Sequence, residues 1–225
     1  MSRDYIIHTP DEIERIRVAA AMTGKARDLI ADSVRPGMST KELDLIAGEI
    51  ITSMGGKCAF LGYAGFPGNI CISVNDEVVH GIGDPNRFIL KGDLVKVDVG
   101  VAFNGGIGDT ARTVYVGDEP SCPADERKLM DVTRDALEAG IKAALPGNHI
   151  RDISAAIQQV AKKNGIAIVR DFVGHGCGVK LHEPPEVPNY VTPMRGPRLQ
   201  PGMVLAIEPM FNLGTYKVYV ERNDW

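Results

Sequence analysis

The chain has 225 residues, of which 44% are hydrophobic and 24% are charged, which is ordinary for a folded globular protein and suits one domain or two fused halves. The formal net charge of −4 argues against nucleic acid or an anionic membrane as the main partner. Residues 1–12 contain no apolar signal region, and no stretch approaches the roughly 18 apolar residues of a membrane helix, so we expect a soluble cytoplasmic protein.

Two helices are predicted at the start of the chain, and each is introduced by a capping box that satisfies free N–H groups of the first turn. The first box is Thr9 with Glu12, and the second is Ser39 with Glu42. The apolar positions expected to face the core are Ile13, Ile16, Ala20, Leu29 and Ile30 in the first helix and Leu43, Ile46, Ala47, Ile50 and Met54 in the second.

A region rich in β-branched residues follows the two helices. Strands are predicted at residues 70–74, 78–79, 94–103 and 107–116. Asn104-Gly105 separates the last two segments, and this pair is a strong signal for a two-residue hairpin loop because both residues tolerate positive φ.

The same order then restarts in the second half of the chain. Residues 123–145 and a following segment that ends at Asn164-Gly165 are predicted helices, the first with Leu129, Leu137, Ile141 and Leu145 as its core stripe. Strands are expected at residues 166–173, 203–210 and 216–220. Two copies of helix–helix–strands favour an α+β architecture with a mainly antiparallel sheet covered by helices on one side.

An internal repeat supports this division. Five positions recur with an offset of 110 residues: Pro36-Gly37 as Pro146-Gly147, Gly55 as Gly165, Gly92 as Gly202, and Asp98 as Glu208. Two copies of one supersecondary unit commonly pack around a pseudo-two-fold axis, so acids at equivalent points would face each other. A metal site between the halves, and therefore a metalloenzyme, is the leading hypothesis.

The predicted hairpin carries two acids. The register imposed by an Asn104-Gly105 loop places Asp98 opposite Ala111 and Asp109 opposite Gly100. Alternation along a strand then puts both acids on one face as diagonal neighbours, roughly 7 Å apart at most. A solvated acidic surface and a pair of divalent ions both fit this geometry. The apolar strand around Asp98 and the internal repeat favour the metal.

Three histidines and a third acid lie in segments with restricted backbones: His80, His175, His182 and Glu208. Glycines flank His175, and a proline follows Glu208. A single histidine is commonly a hydrogen-bonded structural residue, but its occurrence together with acids borne on strands favours a functional site. The other two histidines, His8 and His149, lie near predicted helix starts and are expected at the surface.

These residues resemble those of the type I methionine aminopeptidases of bacteria, which have the pita-bread metallopeptidase fold. The matching stretches are residues 62–83, 91–100, 108–117, 174–190, 199–210 and 216–225. The resemblance implies one catalytic domain, 1–225, with related halves at about 9–117 and 121–225. It implies removal of N-terminal methionine from peptides and nascent proteins by metal-activated water. It also implies one or two divalent ions (Co, Mn or Fe, with Zn possible), a monomer, and the ribosome as a partner.

The resemblance also implies a role for each site residue. Asp98, Asp109, His175 and Glu208 would be metal ligands, with Asp109 bridging two ions and Glu208 shuttling a proton. His80 would contact substrate near the scissile amide nitrogen, and His182 would stabilise the oxyanion. Both histidines would share the substrate site with the residues that line the methionine pocket: Tyr63, Phe66, Cys71, Leu181 and Trp225.

Three departures from the family pattern leave alternatives open. Ala64 stands where histidine is frequent, Leu181 stands where phenylalanine is frequent, and the family's fifth ligand, a bridging glutamate, would lie on a strand beyond Trp225. Without that glutamate we expect the second metal to bind weakly. The alternatives are a catalytically weakened or inactive binding module and a proline-specific aminopeptidase of the same fold. The four cysteines form no CxxC pair and are expected to be reduced.

Overall fold

The computed structural model of this chain describes residues 4–223 and 225. These residues form two compact units, each with two long helices and antiparallel strands, so the predicted α+β class is confirmed. The first unit consists mainly of Glu12–Cys122, with Val179–Leu181 and the end of the chain. The second unit consists mainly of Pro123–Gly178 and His182–Tyr219, with the segment before Glu12.

The first unit contains a four-stranded antiparallel sheet. Its elements are α1 (Pro10–Ser33), α2 (Thr40–Ser53), β1 (Lys57–Cys58), a 3-10 turn (Tyr63–Gly65), β2 (Cys71–Val74), β3 (Leu94–Phe103), β4 (Gly106–Tyr115) and a second 3-10 turn (Glu119–Ser121). Strand β3 pairs with β1, β2 and β4 and is therefore the centre of the sheet. The predicted strand at 78–79 is wrong, because that segment runs as turn and loop.

The capping box predicted for α2 is confirmed. The Ser39 hydroxyl accepts a hydrogen bond from the Glu42 backbone N–H at 3.1 Å, and the Glu42 carboxylate accepts one from the Ser39 N–H at 2.6 Å. The helix that follows buries Leu43, Ala47 and Ile51 completely. A local signal of two residues therefore fixes where this helix starts.

The buried face of α1 differs from the predicted stripe. Ala20 and Leu29 are exposed, and the buried residues are Ile16, Ala19, Thr23, Ala26, Ile30 and Ala31. Close approach to β4 selects this face, because a Cβ at Gly108 would lie 2.5 Å from the Ala20 Cα and one at Gly106 would lie 2.6 Å from the Arg15 carbonyl oxygen. Ile16 and Ile30 are buried as predicted, and the glycines of β4 allow the closest contact between this strand and the helix.

The β3–β4 hairpin has the register expected from its loop. Asn104 and Gly105 both have positive φ, at 49° and 77°, as a two-residue hairpin loop requires. Asp98 pairs with Ala111, and Gly100 pairs with Asp109. The positions of the two acids on the sheet are therefore as predicted.

The second unit contains two small antiparallel sheets below a helix pair. Its elements are α3 (Ala124–Ala143), α4 (Ile150–Asn164), β5 (Ala167–Ile168), β6 (Gly174–Gly176), β7 (Glu183–Val187), β8 (Leu205–Ala206) and β9 (Phe211–Asn212). The sheets are β7–β6–β8 and β5–β9. The strands predicted at 166–173 and 203–210 are shortened to two residues each, and residues 216–220 form no strand.

Helix α3 turns only part of the predicted stripe inward, since Leu129 packs against the core of the second unit. Ile141 and Leu145 are 55% and 57% exposed, whereas Val132, Ala136 and Gly140 are buried. A Cβ at Gly140 would lie 3.0 Å from the Ile157 side chain, so this glycine lets α4 approach closely. As in α1, the tightest helix contact uses the smallest residues.

Local backbone structure repeats in the two units with the predicted offset. Gly37 and Gly147 have φ of 90° and 94°, and each donates its N–H to a carbonyl further along, at Ile89 and Leu199 respectively. Isolated bridges join Ser39 to Phe88 and His149 to Arg198. The sequence repeat therefore corresponds to a repeated local structure.

Among the helices described, none combines the length and apolar character that crossing a lipid bilayer would need. All four cysteines are free thiols, as expected.

Candidate active site

Two carboxylates lie on one face of the β3–β4 hairpin. Val97 and Val99 are fully buried on the other face of β3, so alternation turns Asp98 away from that core, and Asp109 shares its face. Both acids are partly buried. Two like charges in this arrangement repel each other, and a bound cation relieves that repulsion.

Cys71 lies directly opposite Asp98 on β2. Burial raises the pKa of the Cys71 thiol well above its usual value, and the negative charges of Asp98 and Asp109 raise it further. The neutral thiol is therefore the stable form beside the two acids. It offers an apolar, polarisable surface beside the two acids.

The second unit brings His175 and Glu208 together. His175 Nε2 lies 3.3 Å from Glu208 Oε1, and His175 Nδ1 lies 2.9 Å from the Gly176 carbonyl oxygen. Since a carbonyl only accepts hydrogen bonds, the Nδ1 N–H donates to it, and this contact turns Nε2 toward the Glu208 carboxylate. An imidazole nitrogen and a carboxylate oxygen at this separation can share a cation, and the orienting carbonyl is typical support for a metal-binding histidine.

His182 lies beside this pair. Its ring centroid is 4.0 Å from that of His175, and its side chain is exposed. An imidazole that is reachable from solvent and adjacent to a possible metal ligand can donate a hydrogen bond to a substrate oxygen.

Asn189 supports Glu208 and was missed by the sequence analysis. Its side chain is fully buried, and its Nδ2 donates to the Glu208 carbonyl oxygen at 2.7 Å. An asparagine between a proline and a tyrosine reads as a turn residue in sequence. Only the structure shows that it anchors the backbone of a candidate ligand.

An apolar cluster in the first unit contains most of the predicted pocket residues. Phe66, Cys71 and Leu181 are buried together, and Trp225 packs against them with its ring centroid 5.0 Å from that of Phe66. Tyr63 lies outside this cluster and is 43% exposed. The sequence analysis missed four further members of the cluster, namely Ala59, Phe60, Ile82 and Ile107.

His80 approaches this cluster from a strained backbone. Its φ is 60°, in the left-handed region that costs a non-glycine residue about 1–3 kcal/mol. The next residue has no room for a side chain, since a Cβ at Gly81 would lie 2.1 Å from the Ile72 carbonyl oxygen. The His80 ring centroid is 6.0 Å from that of Trp225, so the strain is associated with a ring aimed at the cluster.

A buried carboxylate organises the loop that leads into Cys71. Asp44 has no exposed surface, and its oxygens accept from the Asn69 N–H at 2.7 Å and from Lys41 Nζ at 2.8 Å. A Cβ at Gly83 would lie 2.8 Å from the Asp44 Cβ, so the loop after His80 packs against the same residue. No sequence motif around Asp44 in α2 indicated that this residue holds the loop before Cys71.

The expected surface position of His8 is wrong. His8 is only 5% exposed, and its Nε2 lies 3.0 Å from Oε2 of the equally buried Glu183. His149 is partly buried and precedes α4, where its N–H donates to the Asp152 carboxylate at 2.7 Å.

The comparisons with known proteins agree with this site chemistry. The family model for metallopeptidase family M24 matches residues 14–224. The protein named methionine aminopeptidase of Clostridium perfringens is 46% identical over 221 residues, which cover 98% of this chain and 87% of that protein. The methionine aminopeptidase of Clostridium acetobutylicum is 43% identical over 220 residues, with the same two coverages of 98% and 87%. The crystal structure of methionine aminopeptidase from Thermotoga maritima has a TM-score of 0.93 at 39% identity, covering 98% of this chain and 88% of that one. This chain therefore belongs to metallopeptidase family M24.

Proposed function

We propose that this protein is a metal-dependent aminopeptidase that removes N-terminal methionine from peptides and nascent proteins. The observation that carries the proposal is the His175–Glu208 contact of 3.3 Å, in which an imidazole nitrogen faces a carboxylate oxygen. Similarity to proteins named methionine aminopeptidase over 98% of the chain supports the choice of substrate.

We propose Asp98, Asp109, His175 and Glu208 as the metal ligands, with Asp109 bridging when two ions are bound. Three carboxylates and one imidazole form an oxygen-rich donor set that suits Mn, Fe or Co better than a thiolate-type zinc centre. When bound, a divalent ion lowers the pKa of a coordinated water and polarises the substrate carbonyl.

The protein side chains then supply proton transfer and orientation. The Glu208 carboxylate is about one-third exposed, at 35%, and can take a proton from the attacking water and deliver it to the departing amine. The exposed His182 imidazole donates to the developing oxyanion, and His80 holds the scissile amide nitrogen.

The pocket proposed for the methionine side chain is the apolar cluster around Cys71, with Tyr63 at its exposed edge. Phe66, Leu181 and Trp225 present apolar surfaces, and the neutral Cys71 thiol adds a polarisable one, which suits an unbranched thioether. Leu181 is smaller than phenylalanine and leaves more room in this pocket.

The decisive experiment compares the peptides Met-Ala-Ser and Ala-Pro-Ser after the metal-free protein has been reloaded with Mn²⁺, Co²⁺, Fe²⁺ or Zn²⁺. We expect release of free methionine and no cleavage before proline. Glu208→Gln should lower kcat about 100-fold or more, since it removes both a ligand charge and the proton acceptor. Glu221→Gln, at an exposed acid, is the matched control and should leave kcat unchanged.

Other outcomes of this experiment would contradict the proposal. Preferential cleavage before proline would identify a proline-specific enzyme instead. A protein that binds none of the four metals by elemental analysis would be a binding module of the same fold.

The proposal includes a cytoplasmic monomer that acts on chains emerging from the ribosome, because new methionine N-termini first become accessible there. Sedimentation of the purified protein alone measures whether it is a monomer. Sedimentation with ribosomes measures whether it binds them.

A further inference from the structure

A buried imidazole–carboxylate pair lies outside the residues assigned to the reaction. His8 and Glu183 are 5% and 6% exposed, and the two side chains are each 2% exposed where Nε2 and Oε2 meet at 3.0 Å. Taking two polar groups of this kind out of water is costly unless they satisfy each other. The position of this pair in the fold indicates a role for it.

The His8 end of the pair is firmly held. The His8 backbone N–H donates to the Gly202 carbonyl at 2.9 Å. Gly202 has a φ of +94°, and a Cβ there would lie 2.8 Å from the Ile7 side chain. Tyr5 also accepts a hydrogen bond from the Gln200 amide at 2.9 Å. The segment before α1 is thus packed tightly onto the turn that precedes β8.

The Glu183 end of the pair is attached to the candidate oxyanion donor. Glu183 directly follows His182, and it begins β7, which pairs with β6 at Gly176. A Cβ at Gly176 would lie 2.7 Å from the Glu183 carbonyl oxygen, so the two strands are in close contact. Strand β6 therefore holds the Glu183 backbone, and His8 holds the Glu183 side chain. His182 directly precedes Glu183, and its ring lies beside the ring of His175.

We propose that His8 and Glu183 are positioning residues that fix the His182 imidazole in the orientation needed for oxyanion stabilisation. The segment before α1 is then part of the support of the active site. This inference rests on the proposed function, because it assumes the role given to His182. Loss of the His8 imidazole would remove a contact that holds the Glu183 side chain, and the start of β7 would then rotate together with His182.

The test compares His8→Gln, His8→Lys and Glu183→Gln in the Mn²⁺-loaded enzyme with Met-Ala-Ser as substrate. We expect His8→Gln to lower kcat about 10- to 100-fold with KM changed less than about 3-fold, because a misplaced His182 loses its contact with the oxyanion, which exists only in the transition state. His8→Lys keeps a nitrogen donor that can reach Glu183 and should recover most of the lost kcat. Glu183→Gln removes the charge but keeps the shape, so it should fold and show the same loss.

The matched control is His149→Gln. It changes another imidazole–carboxylate contact in the same unit, His149 to Asp152 at 3.9 Å, whose side chains are 20% and 52% exposed. Both kcat and the thermal midpoint of unfolding should stay near those of the parent protein.

A second measurement does not depend on activity. Side-chain ¹H–¹⁵N spectra of the histidines in the metal-free protein report the tautomer and titration of His182 directly. We expect the His182 signals to move in His8→Gln and to return toward the parent positions in His8→Lys.

Two results would overturn the inference. In the first, His8→Gln lowers the unfolding midpoint but keeps the parent kcat and the His182 signals, which would make the pair structural only. In the second, kcat falls and His8→Lys restores neither kcat nor the spectrum. If the parent protein releases no methionine, the proposed function fails by itself, while the His182 spectra still decide whether His8 and Glu183 position that ring.

Discussion

At the scale of single residues, Asn189 illustrates how a candidate metal ligand is held. Its amide is fully buried and donates to the main-chain carbonyl of Glu208 at 2.7 Å. Pro209 follows Glu208 and has no backbone N–H. The backbone next to Glu208 therefore has one hydrogen-bond donor fewer, which makes the contact with Asn189 more important for the orientation of Glu208. Supporting contacts of this kind commonly tune metal affinity 10- to 100-fold.

We expect Asn189→Ala to lower the free energy of unfolding by about 1–3 kcal/mol, since it removes the buried amide that donates to the Glu208 carbonyl. Mn²⁺ affinity should fall by about 10-fold or more, measured by calorimetric titration. Asn164→Ala is the control: it removes a similar bond, from Nδ2 to the Val160 carbonyl at 2.9 Å, at the end of α4. An unchanged Mn²⁺ affinity in Asn189→Ala would show that Asn189 does not support the ligand.

At the scale of elements, strand β3 combines a buried apolar face with a face that carries charge. Val95, Val97 and Val99 are fully buried, and Lys96 and Asp98 alternate with them. Lys96 Nζ donates to the Asn75 carbonyl at 2.6 Å and so ties β3 to the turn after β2. Burial lowers the pKa of Lys96 from its ordinary 10.5 to about 8, although the charges of Glu77 and Asp76 oppose this effect.

The lowered pKa of Lys96 predicts a pH dependence of stability. Between about pH 8 and the ordinary pKa of 10.5, the folded protein binds fewer protons at Lys96 than the unfolded chain does, so stability rises with pH in this window. We expect the parent protein to gain about 1–2 kcal/mol over Lys96→Met between pH 7.5 and 9.5, measured by urea unfolding. Lys91→Met, at a side chain that is 69% exposed, should show a flat difference across the same range. A flat difference for Lys96→Met as well would exclude the burial effect.

At the scale of the whole molecule, the proposed ligands are far apart in the sequence, from Asp98 to Glu208. An unfolded chain cannot gather them, so metal binding should stabilise the folded state by mass action. We expect Mn²⁺ at 100 times its dissociation constant to add about 2.7 kcal/mol to the free energy of unfolding, seen as a higher thermal midpoint that EDTA reverses.

Substitution at one ligand tests this whole-molecule effect. Asp109→Asn should lose most of the Mn²⁺-dependent rise in the thermal midpoint. Asp171→Asn, at an exposed acid, should keep it. An equal rise in both variants would mean that Mn²⁺ binds elsewhere on the protein.

The sequence by itself determined the features that depend on neighbouring residues. The Ser39–Glu42 capping box, the Asn104-Gly105 loop with its register, and the repeated backbone of Gly37 and Gly147 follow from local hydrogen bonds and φ preferences. The chemical types of the candidate ligands were also readable, because acids in an apolar strand and histidines between glycines are unusual.

Only the tertiary structure decided which surfaces became buried. Leu29 of α1 and Ile141 of α3 are exposed, and His8 is buried against Glu183 instead of lying at the surface. Burial depends on how closely a partner surface far away in the sequence can approach. Packing sets the distance between two such surfaces, and the pattern of neighbouring residues in the sequence does not predict it.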